Sequence, residues 1–324
     1  MAKHLRALLA GVALAGLVPV AAQASEMTYF KTVTDTDVAT FGMGYLRGVG
    51  TGSLTVSGLS GTISSAWLFW HGPTNSTDPL ANAVVSFGGT TVTGVNIGFS
   101  DDNFWSSENS QAYRADVSSL VTGDGAYAIA DFLGTDAEIN GLSLIVFFDD
   151  GVAANNRDVV LFNGNDANFA NSYDALNWNA TLDGVDYSGG AAELVLHVSD
   201  GQDFGSSDDG SLMFNAVSLG SGGLFQGDGV QFGDGSFPSN GALWDIESFD
   251  IASTLMVDNT LSMSAVSDAL SLIVAQFNLP VGAAPPPPPP PGVPEPASWA
   301  MMIAGLGLVG GALRRTRRTT VNFA

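Results

Sequence analysis

The sequence predicts an all-β body of two tandem antiparallel β-sandwich domains of jelly-roll type, with a signal helix before it and a transmembrane helix after it. Three observations carry this prediction. From Glu26 to Leu279 short alternating or continuous apolar runs are bounded by Gly, Asn, Asp and Ser, and no helical period appears. The run Leu142-Ser143-Leu144-Ile145-Val146 returns unchanged as Leu270-Ser271-Leu272-Ile273-Val274, 128 residues later. The two ends are basic and apolar, whereas the segment between them is strongly acidic.

Lys3, His4 and Arg6 open the chain, an apolar stretch follows from Ala7 to Val20, and Ala22-Gln23-Ala24 closes it. This layout predicts a secretory signal peptide over residues 1–24, with Ala22 and Ala24 supplying the small side chains that cleavage needs. Residues 25–165 form the first predicted sandwich, with strands at Ala66–Trp70, Ala83–Phe87, Tyr127–Phe132, Leu142–Phe148 and Asp158–Phe162. Residues 166–282 form the second, with strands at Ala192–Val198, Leu212–Leu219, Leu261–Val266 and Leu270–Phe277. Besides the identical run, Trp67–Trp70 matches Leu194–His197, Val85–Gly88 matches Leu212–Asn215, and Asp116–Leu120 matches Asp250–Leu255. These landmarks recur in one order at offsets of 127 to 134 residues, the mark of a duplicated unit.

Residues 283–293 are a proline-rich linker, whose seven prolines from Pro285 to Pro291 favour a stiff polyproline II spacer. Residues 297–313 are apolar, and at 1.5 Å per residue they span roughly 25 Å, enough for a bilayer core. Arg314, Arg315, Arg317 and Arg318 stop the segment on the cytoplasmic side, which places the body across the membrane. Gly305, Gly307 and Gly310 spell a dinucleotide-type glycine pattern, but no strand precedes it.

Val293-Pro294-Glu295-Pro296, Trp299-Ala300-Met301-Met302, the glycine-rich helix and the arginine cluster together resemble a PEP-CTERM sorting signal, over residues 294–318. The resemblance implies a Gram-negative bacterium that makes exopolysaccharide. It also implies an inner-membrane intermediate processed near Pro294-Glu295-Pro296 by an exosortase, a membrane transpeptidase-like enzyme. The mature body would then reach the outer surface or the extracellular matrix. In the body, Ala66–Trp70, Tyr113–Leu120 and Gly141–Val146 resemble uncharacterised β-sandwich domains of secreted bacterial surface proteins.

Composition narrows the activity. The chain is 45% hydrophobic and 13% charged and contains no Cys, which excludes disulfide scaffolds, thiolate metal sites and Cys nucleophiles. Between residues 25 and 296 the four bases Lys31, Arg47, Arg114 and Arg157 face all 32 acids, a formal charge of −28. A body of that charge does not bind nucleic acid, which requires basic patches. No nucleophile or zinc-protease motif is present, so no catalytic residue is assigned and the chain reads as a non-enzyme. His71 and His197 read as packing or edge residues, and Arg114 as the partner of a local carboxylate. Asp116 and Asp250 each precede a pattern suited to one helical turn and read as N-caps. Asp149-Asp150 and Asp208-Asp209 read as solvated turns.

Calcium is the better use of the remaining acids, because the ion takes six to eight oxygens. Asp200, Asp203 and Asp208 in one Gly-rich loop are the leading ligands. Trp105 and Trp178 lie among polar residues, where an indole can form a sugar-stacking platform or fold over its own loop. The leading functional expectation is a structural or adhesive component of an exopolysaccharide matrix or biofilm. The alternative is a lectin-like carbohydrate-binding module, with or without calcium, and a glycan-active hydrolase comes third.

Overall fold

Alternation of side chains along extended segments builds the body. The structure, a computed structural model, describes residues 27–100, 107–132, 138–169, 171–173, 175–203, 209–233, 240–264 and 266–287. The first half contains β1 (Thr28–Gly44), a helical turn α1 (Leu46–Val49), β2 (Gly52–Val56), β3 (Thr62–Thr74), β4 (Val84–Phe87) and β5 (Thr90–Thr93). It continues with β6 (Val95–Ser100), β7 (Asn109–Asp116), β8 (Gly125–Ala130) and β9 (Gly141–Asp149). The second half contains β10 (Arg157–Ala167), β11 (Trp178–Asp183), β12 (Glu193–Ser199), β13 (Leu212–Phe214) and β14 (Val217–Gly220). It ends with β15 (Gln231–Phe232), β16 (Trp244–Asp250), β17 (Asp258–Met263) and β18 (Ser271–Leu279). The predicted signal peptide, Ala22 and Ala24 included, and the transmembrane segment 297–313 lie outside the described residues. Among those described, no helix is long and apolar enough to cross a membrane.

The hydrogen-bonded order of the first half is β1-β9-β3-β7-β6 in an inner sheet and β2-β8-β4-β5 in an outer one. The second half reads β10-β18-β12-β16 and β11-β17-β13-β14. Adding nine to each strand number turns the first order into the second except at β6, whose counterpart β15 pairs with β1 instead. The sequence repeat follows the same rule: the identical runs fall on β9 and β18, Trp67–Trp70 and Leu194–His197 on β3 and β12, and Asp116 and Asp250 end β7 and β16.

Each half buries a core between its two sheets. Leu68, Trp70, Phe87, Tyr113, Leu144 and Val146 lie in the first, and Leu194, Leu196, Phe214, Leu261, Leu272 and Phe277 in the second. A third core joins the halves. Phe69, Ile145 and Phe147 of the first inner sheet pack with Val159, Leu161, Ile273 and Val274 of the second. The inner strands are thus covered on both faces, which explains why β9 and β18 read as nearly unbroken apolar runs.

The two inner sheets share β1. Thr28–Thr36 pairs antiparallel with β10, and Asp37–Met43 pairs antiparallel with β9. The change of partner falls where the register breaks between Val33 and Thr36 and Asp35 takes a left-handed φ of 51°. The predicted boundary between residues 165 and 166 lies inside β10, and the described residues through Pro285 form one compact unit. Through the first part of β1, the N-terminal residues belong to the sheet of the second half.

One buried carboxylate fixes this junction. Asp158 Oδ1 accepts the Asp35 N–H at 3.0 Å, while its Oδ2 accepts the N–H groups of Gly282 and Ala284 at 2.8 and 3.2 Å. The crossover of β1, the start of β10 and the C-terminal exit therefore meet at a single side chain. Side chains also cap the outer-sheet edges at β2 and β11. Gln231 accepts the Thr55 N–H and donates to the Thr55 carbonyl, both at 2.8 Å, and Asp166 Oδ2 accepts the Asn179 N–H at 2.8 Å.

Asp158→Ala removes three charge-assisted hydrogen bonds and is expected to lower stability by roughly 2–4 kcal/mol. Scanning calorimetry should show the melting temperature falling while unfolding stays a single transition, because the halves share β1 and the third core. Two well-separated transitions in the wild type would contradict that coupling.

Candidate ligand site

Beside the point where β1 changes partner lies a cleft of about 550 Å³, lined by residues of both halves. The first half contributes Asp37 and Val38 of β1, Phe148 of β9, Gly58 and Ser60 after β2, and Asp150 and Asn155 of the β9–β10 turn. The second contributes Arg157 of β10, Ala191, Ala192 and Glu193 around the start of β12, Asp250 of β16 and Asn278 of β18. Four carboxylates, two amides, a hydroxyl and one guanidinium thus surround a small apolar wall. Asp37 Oδ2 accepts the Asp150 N–H at 2.9 Å, and Asn155 Nδ2 donates to Asp150 Oδ2 at 3.1 Å. Carboxylate oxygens of Asp37, Asp149 and Asp150 lie within 4.8 Å of one another, a spacing that can hold a cation. A second group of this kind joins Asp245 and Glu247 of β16 with Asp228 of the β14–β15 loop.

Asp245 is fully buried. Its Oδ2 accepts the Gly227 N–H at 2.8 Å and its Oδ1 the Asp228 N–H at 3.2 Å. The backbone approaches so closely that a Cβ on Gly201 would lie 1.9 Å from Asp245 Oδ2. Burial pushes the Asp245 carboxyl up to about 7, against the opposing pull of backbone N–H donors. Glu247 is raised as well, by burial and then by the charge of Asp228.

The seam between the inner sheets holds a polar network. His71 Nδ1 meets Ser199 Oγ at 2.7 Å, Asn140 Nδ2 donates to Ser199 Oγ at 2.9 Å, and Arg47 Nε donates to Asn140 Oδ1 at 2.8 Å. Arg47 also lies 3.4 Å from both Asp200 and Glu138. The Ser199–His71 contact has the atoms of a nucleophilic dyad, but both residues are buried in the seam. His197 lies buried two residues before Ser199 on the same strand. Burial pulls both histidines down to about 3, assisted at His71 by the Arg47 charge and opposed at His197 by Gln276.

The residues singled out from sequence take diverse places. Trp178 is fully buried in the second core, and its Nε1 donates to the Leu270 carbonyl at 3.2 Å. It opens β11 with its side chain inward, so it offers no free face to a sugar, contrary to the platform expectation. Asp200 pairs with Arg47 in the seam, while Asp203 accepts from Gln226 Nε2 at 3.3 Å. Neither belongs to the two three-carboxylate groups found among the described residues. Trp105, Asp208, Val293, Pro294, Glu295, Pro296, Arg314, Arg315, Arg317 and Arg318 lie outside the described residues.

Asp116 and Asp250 do cap single turns, accepting the N–H groups of Ser118 and Ala252 at 2.9 Å. Asp149 and Asp150 accept from Gly151 and Val152 in exposed turns. Asp209, by contrast, is buried and accepts the N–H groups of Leu224 and Phe225, so it clamps a loop instead of sitting in water. Arg114 is corrected too: its guanidinium lies 3.6 Å over the Phe30 ring and donates to Asn163 Oδ1, with no carboxylate partner among the described residues. The cleft residues Asp37, Arg157, Glu193 and Asn278 were not singled out. The available signal was Arg157, one of four bases in the acidic body.

Residues 292–318 match the PEP-CTERM protein-sorting motif. The motif implies export, a membrane-anchored intermediate in a Gram-negative bacterium and processing by exosortase. No curated protein sequence matches the chain. Among solved structures, BuGH86 in complex with neoagarooctaose, as wild type and as a point variant, is 13% identical, with TM-scores of 0.23 and 0.24. The alignment covers 78% of this chain and 34% of theirs, about a third of the BuGH86 chain. PBCV-1 VP54, fitted into a cryo-EM reconstruction of the virophage Sputnik, is 9% identical over 79% of this chain and 97% of its own, with a TM-score of 0.20. Likenesses this slight carry no argument about function.

Stability should depend on pH in two opposed ways. Folded Asp245 keeps its proton up to about pH 7, whereas an ordinary Asp loses it near 3.8, so stability falls as pH rises through that window. Asp245→Asn is expected to gain on the wild type from about pH 4 to 7, by up to about 4 kcal/mol. Urea titrations across pH measure this, and a constant difference between the two proteins would refute it. His197 stays neutral when folded but protonates below 6.5 when unfolded, so acid destabilises the fold between about 6.5 and 3. His197→Leu should flatten that acid limb in the same titrations.

Proposed function

We propose that the chain is an exported, exosortase-processed surface protein with a structural or adhesive role in an exopolysaccharide matrix or biofilm. The sorting motif at residues 292–318 carries this reading. The acidic body supports it, since a high net charge keeps a secreted module soluble and separate from its copies. Each half is read as a jelly roll. Counted from its first strand, the inner sheet runs first-ninth-third-seventh and the outer second-eighth-fourth-fifth, an order that two Greek keys generate. The reading is non-enzymatic, and burial of the Ser199–His71 contact supports it.

Deleting residues 292–318 is expected to abolish delivery to the outer surface or matrix, as read by cell fractionation and immunoblotting. Unchanged delivery of the truncated chain would overturn the sorting reading. Mass spectrometry of the mature wild type should find Ser25 at the N-terminus and a C-terminus near Pro294.

A second reading is favoured by the cleft, whose carboxylates, amides and guanidinium form a donor and acceptor set suited to a saccharide. In this reading the body is a carbohydrate-binding module that holds matrix polysaccharide at the junction of its halves. Probing a glycan array with the mature protein tests it: selective binding supports the reading, and an empty array removes it without touching the sorting claim.

A further inference from the structure

The charges within the cleft indicate which saccharide it takes. Glu193 and Asp250 stand directly opposite each other on neighbouring strands. Like charges in that register destabilise a sheet, and no Lys or Arg forms an ion pair with either among the described residues. Buried amides instead hold Glu193 in place. Gln276 Nε2 donates to Asn278 Oδ1 at 2.8 Å, and Asn278 Nδ2 donates to Glu193 Oε2 at 2.9 Å. The first half contributes Asp37 and Asp150 to the same cleft, clustered with Asp149. Two foci of negative charge, one from each half, thus face the same cavity of about 550 Å³. Arg157 lines it too, and it forms no ion pair among the described residues.

We propose that this cleft binds a hexosamine oligomer carrying free, protonated amines. The proposal rests on the saccharide reading of the cleft and names its ligand class. An ammonium group fits each focus, as a triple donor between carboxylates that otherwise repel. The neutral hydroxyls of the sugar rings match Ser60, Asn155 and the Arg157 guanidinium, which would be superfluous for a bare cation. The volume also suits a short oligosaccharide better than a single ion, which would occupy one focus and leave most of the cavity empty.

Isothermal titration calorimetry of the mature protein tests this with four probes: a glucosamine tetramer, an N-acetylglucosamine tetramer, spermidine and Ca²⁺. The glucosamine tetramer should bind, and more weakly at high salt. Glu193→Gln combined with Asp250→Asn should weaken it at least tenfold. Both changes keep an acceptor, for Asn278 Nδ2 and for the Ala252 N–H, so the melting temperature should hold and a loss of affinity is not a loss of fold. Equal binding of the acetylated tetramer would overturn the amine requirement while leaving the saccharide reading intact. Equal binding of spermidine, or binding of Ca²⁺ alone, would overturn the saccharide as ligand. No binding of the glucosamine tetramer would overturn the proposal, and an empty glycan array alongside it would remove the saccharide reading too.

Discussion

The architecture depends on one strand that belongs to two sheets. β1 is hydrogen-bonded to β10 over its first part and to β9 over its second, so neither inner sheet is complete without it. That sharing brings the inner sheets face to face and buries Phe69, Phe147, Leu161 and Ile273 between them. The change of partner requires the left-handed residue Asp35 and the Asp158 carboxylate that accepts its N–H. The cleft lies at the same place, lined by Asp37 and Val38 of β1 just past the change of partner and by Arg157 of β10.

Burying both faces of the inner sheets has a polar cost, met by side chains that bond across the seam. Asn165 Nδ2 donates to the Ser110 carbonyl at 3.1 Å, Trp244 Nε1 to Ser143 Oγ at 2.9 Å, and Asn140 to Ser199. Such contacts fix the register of one half against the other, because a buried donor without an acceptor is costly. His71 and His197 are buried and burial pulls both well below the ordinary imidazole range, so the seam holds them in the neutral form. The same seclusion buries the Ser199–His71 contact.

Much of the fold was legible because burial on two faces leaves a strong local pattern. The Leu142–Val146 and Leu270–Val274 runs match because β9 and β18 occupy equivalent places between two cores. Asp116 and Asp250 were legible as caps because capping is a matter of nearest neighbours in sequence. The cleft was not, since Asp37, Asp150, Glu193 and Asp250 meet only through the crossover of β1, which no local pattern announces. Trp178 misled for a related reason: flanking Asn177 and Asn179 look like a loop, yet Asn179 points outward from a strand whose alternate residues are buried. Asp200 misled because its counter-charge, Arg47, lies 153 residues away.

The clamp at Asp158 has a mechanical meaning for a body whose chain continues into a proline-rich segment. Tension applied beyond Pro285 first meets the two hydrogen bonds that hold Gly282 and Ala284 to Asp158. It then reaches β18, which lies between β10 and β12 and is antiparallel to both. Force along that strand loads its ladder bonds together, in shear, instead of peeling them one at a time from an edge. The chain that leads into the proline-rich segment thus leaves the body from an interior strand of the sheet.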